Sequence, residues 1–139
     1  MTIKVQKEDF NLSNEINNID NNKKETGAIS IFIGKVRKHN NGKLVKSLYL
    51  QHYPGMTEKQ LNSIELTARK KWEIEDCIII HRYGKLYPND QIVLVIISSK
   101  YRKEAISACS YIIDSLKTNV TLWKLEETNI GSYWLEQTK

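Results

Sequence analysis

The stretch QIVLVIISSKYRKEAISACSYIIDSLKTNVTLWKLEE, residues 91–127, changes its apolar period twice. Residues 91–99 are an almost unbroken run of Ile, Val and Leu closed by two serines, by composition the most buried strand of the chain. From about 101 to 117 the apolar positions take helical spacing, with Ala105, Ile106, Cys109, Ile112, Ile113 and Leu116 on one face. Residues 119–127, NVTLWKLEE, read as a strand again. A long strand, one helix and another long strand make the unit from which the rest of the fold is read.

Working outward, TIKVQ (2–6) predicts a short first strand. NLSNEINNI (11–19) predicts a weak helix with Ser13 as N-cap and Glu15 in its first turn. GAISIFIGKVR (27–37) is Ile-rich and bounded by Gly27 and the NNG of 40–42, and KLVKSLYLQHY (43–53) alternates after it. The two read as a hairpin around NNG. After PGM, Thr57 opens a helix with Gln60 as its capping-box partner, and Leu61, Ile64, Ala68 and Trp72 follow at helical spacing. CIIIHRYG (77–84) is a strand, PND (88–90) a turn and SYWLE (132–136) a short last strand. The order β-α-β-β-α-β-β-α-β, with that short strand after it, predicts an α+β two-layer sandwich, with helices on one face of a mostly antiparallel sheet.

At 139 residues the chain fits a single domain, 1–139, large enough to bury a core. The Asn-rich NNIDNNKKE (17–25) is a polar connector rather than a domain linker. No apolar run approaches 18 residues, and the start MTIKVQKEDFNLSNEI lacks the apolar segment of a signal peptide. A cytoplasmic protein is expected. Cys77 and Cys109 sit among apolar neighbours and form no metal spacing with His39, His52 or His81, so they read as buried reduced thiols, and no metal site is predicted. The net charge of +5 suits an anionic partner (nucleic acid, a phosphorylated metabolite or an acidic protein) and equally suits plain solubility.

Three basic clusters stand out. In GKVRKH (34–39), Lys35 and Arg37 share strand parity with Ile29, Ile31 and Ile33; they are either solvated where the strand leaves the core or aimed at an anion. Lys100, Arg102 and Lys103 crowd a helix start, where cations oppose the macrodipole unless an anion sits nearby. Lys117 falls at a helix end, where the dipole favours it and no function is needed to explain it. Lys124 is less comfortable. It shares a strand face with Val120 and Leu122 while Trp123 points the other way, so partial burial lowers its pKa. That leaves it as a general acid or base, a fixed cation, or an edge-strand gatekeeper. No nucleophile elbow or P-loop is present.

Taken in order, GAISIFIGKVRKHNNGK, HYPGM, IIHRYGKL, YRKEAISACSYIIDSLKT and LWKLEE followed by YWLE resemble the large, catalytic subunit of molybdopterin synthase, the MoaE family, over residues 27–136. The resemblance implies an α/β-hammerhead-type α+β fold. It implies conversion of cyclic pyranopterin monophosphate (precursor Z) to molybdopterin, with two sulfurs delivered as a thiocarboxylate on the C-terminal Gly-Gly tail of a small ubiquitin-like subunit. It implies a heterotetramer built on a dimer of large subunits, and no cofactor or metal. Residue by residue, it places Lys35, Val36 and Arg37 on the substrate, with Arg37 at the phosphate. Tyr101 and Arg102 form an anion site lent across the dimer. Lys117 is the leading catalytic lysine and Lys124 the second, with Leu125 and Glu126 beside it. The chain departs from the family pattern at Tyr101 (usually His), Gln51 (often Glu) and Thr121-Leu122 (usually Pro-Phe).

Two other classes remain in view. One is a nucleic-acid-binding α+β module, but an RNA-reading sheet needs exposed aromatics on its central strands, and SIFIGKVR offers only Phe32. The other is an inactive scaffold homologue, against which Arg37, Arg102, Lys117 and Lys124 all speak.

Overall fold

The structure, a computed structural model, describes residues 2–19 and 25–135. Residues 20–24 of the Asn-rich connector and Glu136 of the last expected strand lie outside them. The elements are β1 (Thr2–Gln6), α1 (Leu12–Asn17), β2 (Ala28–Lys35), β3 (His39–Asn40), β4 (Lys43–His52), α2 (Met56–Lys71), β5 (Asp76–Arg82), β6 (Gly84–Leu86), β7 (Gln91–Ser99), α3 (Arg102–Asn119), β8 (Leu122–Thr128) and β9 (Gly131–Leu135).

These strands form two sheets rather than one. The first has the order β1-β5-β7-β2; β1 runs parallel to β5 and the other pairs are antiparallel. The second runs β3-β4-β8-β9, with β6 also paired to β4. The expected hairpin of 27–37 with 43–53 is therefore corrected. The turn does form, with Asn41 and Gly42 both at positive φ (51° and 77°), the backbone a two-residue hairpin demands. But only β3 pairs across it, His39 with Leu44 and Asn40 with Lys43. β2 pairs instead with β7, whose unbroken apolar run offers the larger buried surface.

β5 and β7 are apolar on both sides because both faces of the first sheet are covered. Cys77, Ile79, Val95 and Ile97 pack under α2 (Leu61, Ile64, Ala68) and α3 (Ala105, Ala108, Ile112). Ile78, Ile80, Leu94 and Ile96 face the opposite way, against Phe10, Ile19 and the α1 residues Leu12 and Ile16. Helices thus lie on both faces, not one: α1 with its flanking Phe10 and Ile19 covers β5 and β7 on the second side, while Ile29 and Ile31 of β2 stay exposed there. Both cysteines are free and buried, and burial pushes the Cys77 thiol up to about 12.

Local chemistry corrects two caps. Asn11, not Ser13, caps α1, its Oδ1 accepting from Asn14 N–H at 3.0 Å. At α2 the Glu58 carboxylate, not Gln60, accepts from the Gly55 N–H at 3.1 Å. Gln60 serves another purpose. Its Oε1 accepts from Thr121 N–H at 2.8 Å and its Nε2 donates to Thr121 Oγ1 at 3.1 Å. This clamp fixes the chain between α3 and β8.

Two irregularities redirect side chains. A register shift at Lys46 lets Val45, Leu48 and Leu50 all turn inward despite their mixed parity, forming a third core with Val36 and Leu86. A second shift, between Gly34 and Lys35, is described with the site.

Candidate functional site

The site lies where the two sheets meet under the C-terminal end of α3, and each cation reaches it from a different element. Up to Gly34, β2 keeps strict alternation, with Ile33 opposite Leu94 and Gly34 opposite Val93. The register then slips, and Lys35 stands opposite Gln91. The slip leaves Ile92 without a partner on β2, and beyond it Lys35 lines the cavity beneath α3 with Phe32, Val93 and Ile113. The sequence parity placing Lys35 with Ile29 and Ile31 is corrected by this one-residue slip. A side chain at Gly34 would bring its Cβ to 2.8 Å from Val93 Cγ1, which is why glycine occupies the bulge.

Beyond the bulge, Val36 is buried and pinned to the β6–β7 turn: its N–H donates to Asp90 O at 2.9 Å and its carbonyl accepts from Asn89 N–H at 2.8 Å. Arg37 follows with its guanidinium on the surface, donating to Asn40 Oδ1 at 3.2 Å. Asn40 Nδ2 in turn donates to Glu126 Oε2 at 3.0 Å. Glu126 is buried on β8, so this bridge ties the Arg37 loop to the second sheet.

Lys117 occupies the last turn of α3, where the helix dipole favours a cation. Only Val120 and the clamped Thr121 separate α3 from β8. The chain reverses quickly, and Lys124 re-enters the same space on the face of buried Leu122, while Trp123 turns outward and is half-exposed. The expected parity of Lys124, Leu122 and Trp123 is what the structure shows. Burial, and next the nearby Lys117 ammonium, hold the Lys124 pKa below that of an ordinary lysine.

Lys35, Val36, Arg37, Lys117, Lys124 and Glu126 line one cleft of about 580 Å³. An adjoining cavity of about 150 Å³, walled mainly by apolar residues such as Phe32, Ile113 and Leu122, shares Lys35, Lys117 and Lys124. Four cations face one carboxylate in the cleft, and among the described residues none of the four has an ion-pair partner. Such an uncompensated cationic pocket suits an anion with a flat or apolar body.

The remaining expected residues stand apart. Leu125 alternates to the other face of β8, in register with Tyr49 and Trp134. Tyr101, strongly exposed, precedes the first residue of α3, Arg102. Fifteen residues of helix separate Arg102 from Lys117, about 22 Å at the α-helical rise. Beside them Lys100 is paired with Glu25 at 3.0 Å, which raises its pKa. A separate open pocket is lined by Lys7, Gln51, His52, Tyr83 and Lys85 among others and holds none of the expected residues.

Two polar residues of the site escaped the sequence reading. Asn40 was legible only as part of a turn. His81 lines the apolar cavity, and the one signal was its parity with Cys77 and Ile79 at the end of an apolar run. Among the described residues no group of His, Cys, Asp and Glu could hold a metal, and no helix is long and apolar enough to cross a membrane.

The chain is similar to known proteins over nearly its whole length. A family model described as MoaE protein matches residues 5–119. A molybdopterin synthase catalytic subunit from Ralstonia nicotianae is 46% identical over 135 residues, covering 97% of this chain and 77% of that protein. A solved molybdopterin biosynthesis MoaE protein from Burkholderia ambifaria superposes with a TM-score of 0.84 at 38% identity, covering 99% of this chain and 90% of that one. A solved molybdopterin synthase from Staphylococcus aureus gives 0.86 at 32% identity, covering 95% of each chain.

Proposed function

Because the chain belongs to the MoaE protein family, we propose that it is the catalytic subunit of a molybdopterin synthase. It converts precursor Z to molybdopterin, taking two sulfurs from the C-terminal thiocarboxylate of a small ubiquitin-like partner. The observation that carries this reading is the convergence of Lys35, Arg37, Lys117 and Lys124, from β2, the β2–β3 loop, α3 and β8, on one cleft.

The chemistry uses those groups as follows. Precursor Z carries a cyclic phosphate that must be gripped and then released from carbon. The Arg37 fork, braced through Asn40 to Glu126, takes the phosphate with Lys35 beside it. The thiocarboxylate sulfur is itself the nucleophile, so no protein cysteine is required, in keeping with two buried thiols. Lys117, exposed at the helix end, neutralises the tail and meets charge developing at its acyl carbon. Lys124, with its lowered pKa, orients the pterin or phosphate and exchanges a proton more readily than a solvated lysine.

Tyr101 and Arg102 are too far from Lys117 to complete the same cleft within one chain. They serve the site of a second copy in a homodimer, each copy binding one small subunit. The reaction belongs in the cytoplasm.

The test is reconstitution. The purified chain is mixed with its thiocarboxylated small subunit and precursor Z, and molybdopterin is read as its oxidised fluorescent derivative. Product is expected, and Lys117→Ala abolishes it. No product with the cognate small subunit overturns the enzyme reading, and full activity of Lys117→Ala overturns the assignment of that lysine.

A further inference from the structure

His81 is the polar residue that this mechanism leaves idle. It is 6% exposed, the last residue but one of β5, on the side of the sheet that faces α3. It lines the apolar cavity that Lys35, Lys117 and Lys124 also enter.

Its tautomer follows from one contact. Nδ1 lies 2.9 Å from the carbonyl oxygen of Arg82. A carbonyl oxygen can only accept, so Nδ1 carries the proton and, in the neutral ring, Nε2 presents a lone pair. The neutral form is secured by the surroundings. Burial above all pushes the ring down to about 4; the bond to Arg82, the next largest influence, acts the other way, and the charges of Lys124 and His52 add smaller depressions. The titratable groups around it are Lys35 from β2, Lys117 from α3, Lys124 from β8 and His52 from β4.

Every other polar side chain lining this cavity is a lysine, which only donates. Among the described residues His81 is therefore the only side-chain acceptor in its wall. Among the described residues no donor occupies Nε2, and no acceptor occupies the Lys124 ammonium. A ring lone pair and a half-buried ammonium that line one cavity, neither with a partner among the described residues, are complementary groups.

We infer that His81 is a positioning residue: its Nε2 accepts an N–H of the Lys124 ammonium and holds that ammonium toward the cleft while substrate excludes water. A ring this hard to protonate does not act as a base, so its contribution is an accepted hydrogen bond and no proton is transferred to it. The inference rests on the proposed function for its effect on turnover, but not for its effect on Lys124.

The experiment therefore has two independent readouts on the full chain, with His81→Phe and His81→Asn as variants. The first is the titration of Lys124 Nζ by nitrogen NMR in the free protein. An acceptor stabilises the ammonium, so His81→Phe lowers the Lys124 pKa further, by about one unit, and His81→Asn, whose side-chain oxygen accepts, recovers part of the shift. The second is molybdopterin formation. His81→Phe lowers kcat about tenfold while KM for precursor Z stays within about threefold, and His81→Asn recovers part of kcat. An unchanged Lys124 titration in His81→Phe overturns the inference, as does His81→Asn behaving like His81→Phe in both readouts. If neither variant folds, the nitrogen spectrum of His81 in the wild type decides: an Nε2–H tautomer overturns the inference and an Nδ1–H tautomer sustains it. A wild-type chain that makes no product sinks the proposed function and leaves the titration standing.

Discussion

Lowering the pH from 7.5 to 4 should destabilise this protein through His81 in a way that one substitution removes. The ring is buried and neutral, with its pKa depressed from 6.5 to about 4. The unfolded chain takes up a proton near 6.5 and the folded chain does not until near 4. Between those values the unfolded state holds about one proton more, so stability falls as pH falls. The loss begins below about 6.5, runs at about 1.4 kcal/mol per pH unit, and is complete below about 4. Over a depression of this size it totals about 3 kcal/mol, a large share of the stability of a domain this small. The assay is urea unfolding at half-unit pH steps. It is followed by tryptophan fluorescence, to which Trp72, packed on Tyr111 at 5.5 Å, contributes from the α2–α3 contact and Trp123 and Trp134 from the second sheet. His81→Phe supplies the reference. It deletes the titrating ring at similar volume, and the unpaired Arg82 carbonyl it leaves behind shifts stability by an amount independent of pH. Groups that His81 does not influence cancel in the difference between the two proteins. The difference between the two curves should therefore be flat above about pH 7 and slope by about one proton between 6 and 4.5. Parallel curves throughout would refute the burial of a neutral imidazole and, with it, the tautomer argument.

The other predictions concern the parts that aim the site. Asn40→Ala cuts the bridge from Arg37 to Glu126 and should raise KM for precursor Z severalfold, with unfolding free energy changed by less than about 1 kcal/mol, since the bonds are partly exposed; steady-state kinetics and urea melts check both halves. Gln60→Ala leaves the Thr121 N–H without its side-chain partner and should cost about 1–2 kcal/mol, read from the urea midpoint. Lys117→Met removes the second cause of the low Lys124 pKa but not burial, the first. The Lys124 titration should rise yet stay below that of an ordinary lysine, and a return to 10.5 would mean that burial contributes nothing.

Much of this molecule was legible because its signals are local. Turn chemistry at Asn41-Gly42, the helical stripe of α3 (except that Ile106 is exposed and Ala108 takes the buried place) and the outward turn of Trp123 each depend on a few consecutive residues. The expected elements are present with bounds shifted by up to three residues, and the partial burial of Lys124 followed, but β3 and β6 were not foreseen, and the expected strand 77–84 divides at Tyr83 between the two sheets. Partner choice among strands did not follow. NNG predicted a hairpin, and the sequence carried no sign that β2 would leave it for β7, because that choice compares apolar areas distant in the chain. The face of Lys35 depends on a one-residue slip between Gly34 and Lys35, invisible to a parity count. Asn40 and His81 looked like a turn residue and a strand end; only the folded chain gave one a carboxylate and an arginine and the other a cavity of lysines. Tyr101 and Arg102 show the same limit from the other side, since helix geometry sets them about 22 Å from the lysines their motifs accompany.

By itself the sequence determined the α+β class, the family resemblance, and which cations were candidates. The tertiary structure decided which of them meet. Side-chain type and periodicity are properties of short windows, whereas a shared pocket, a neutral histidine in its wall and a lowered lysine pKa arise only when residues far apart in the chain are brought together and dried. Lys117, favourable at its helix end without any function, and Lys124, ill at ease on its strand, became one site because α3 and β8 are joined by two residues and clamped by Gln60.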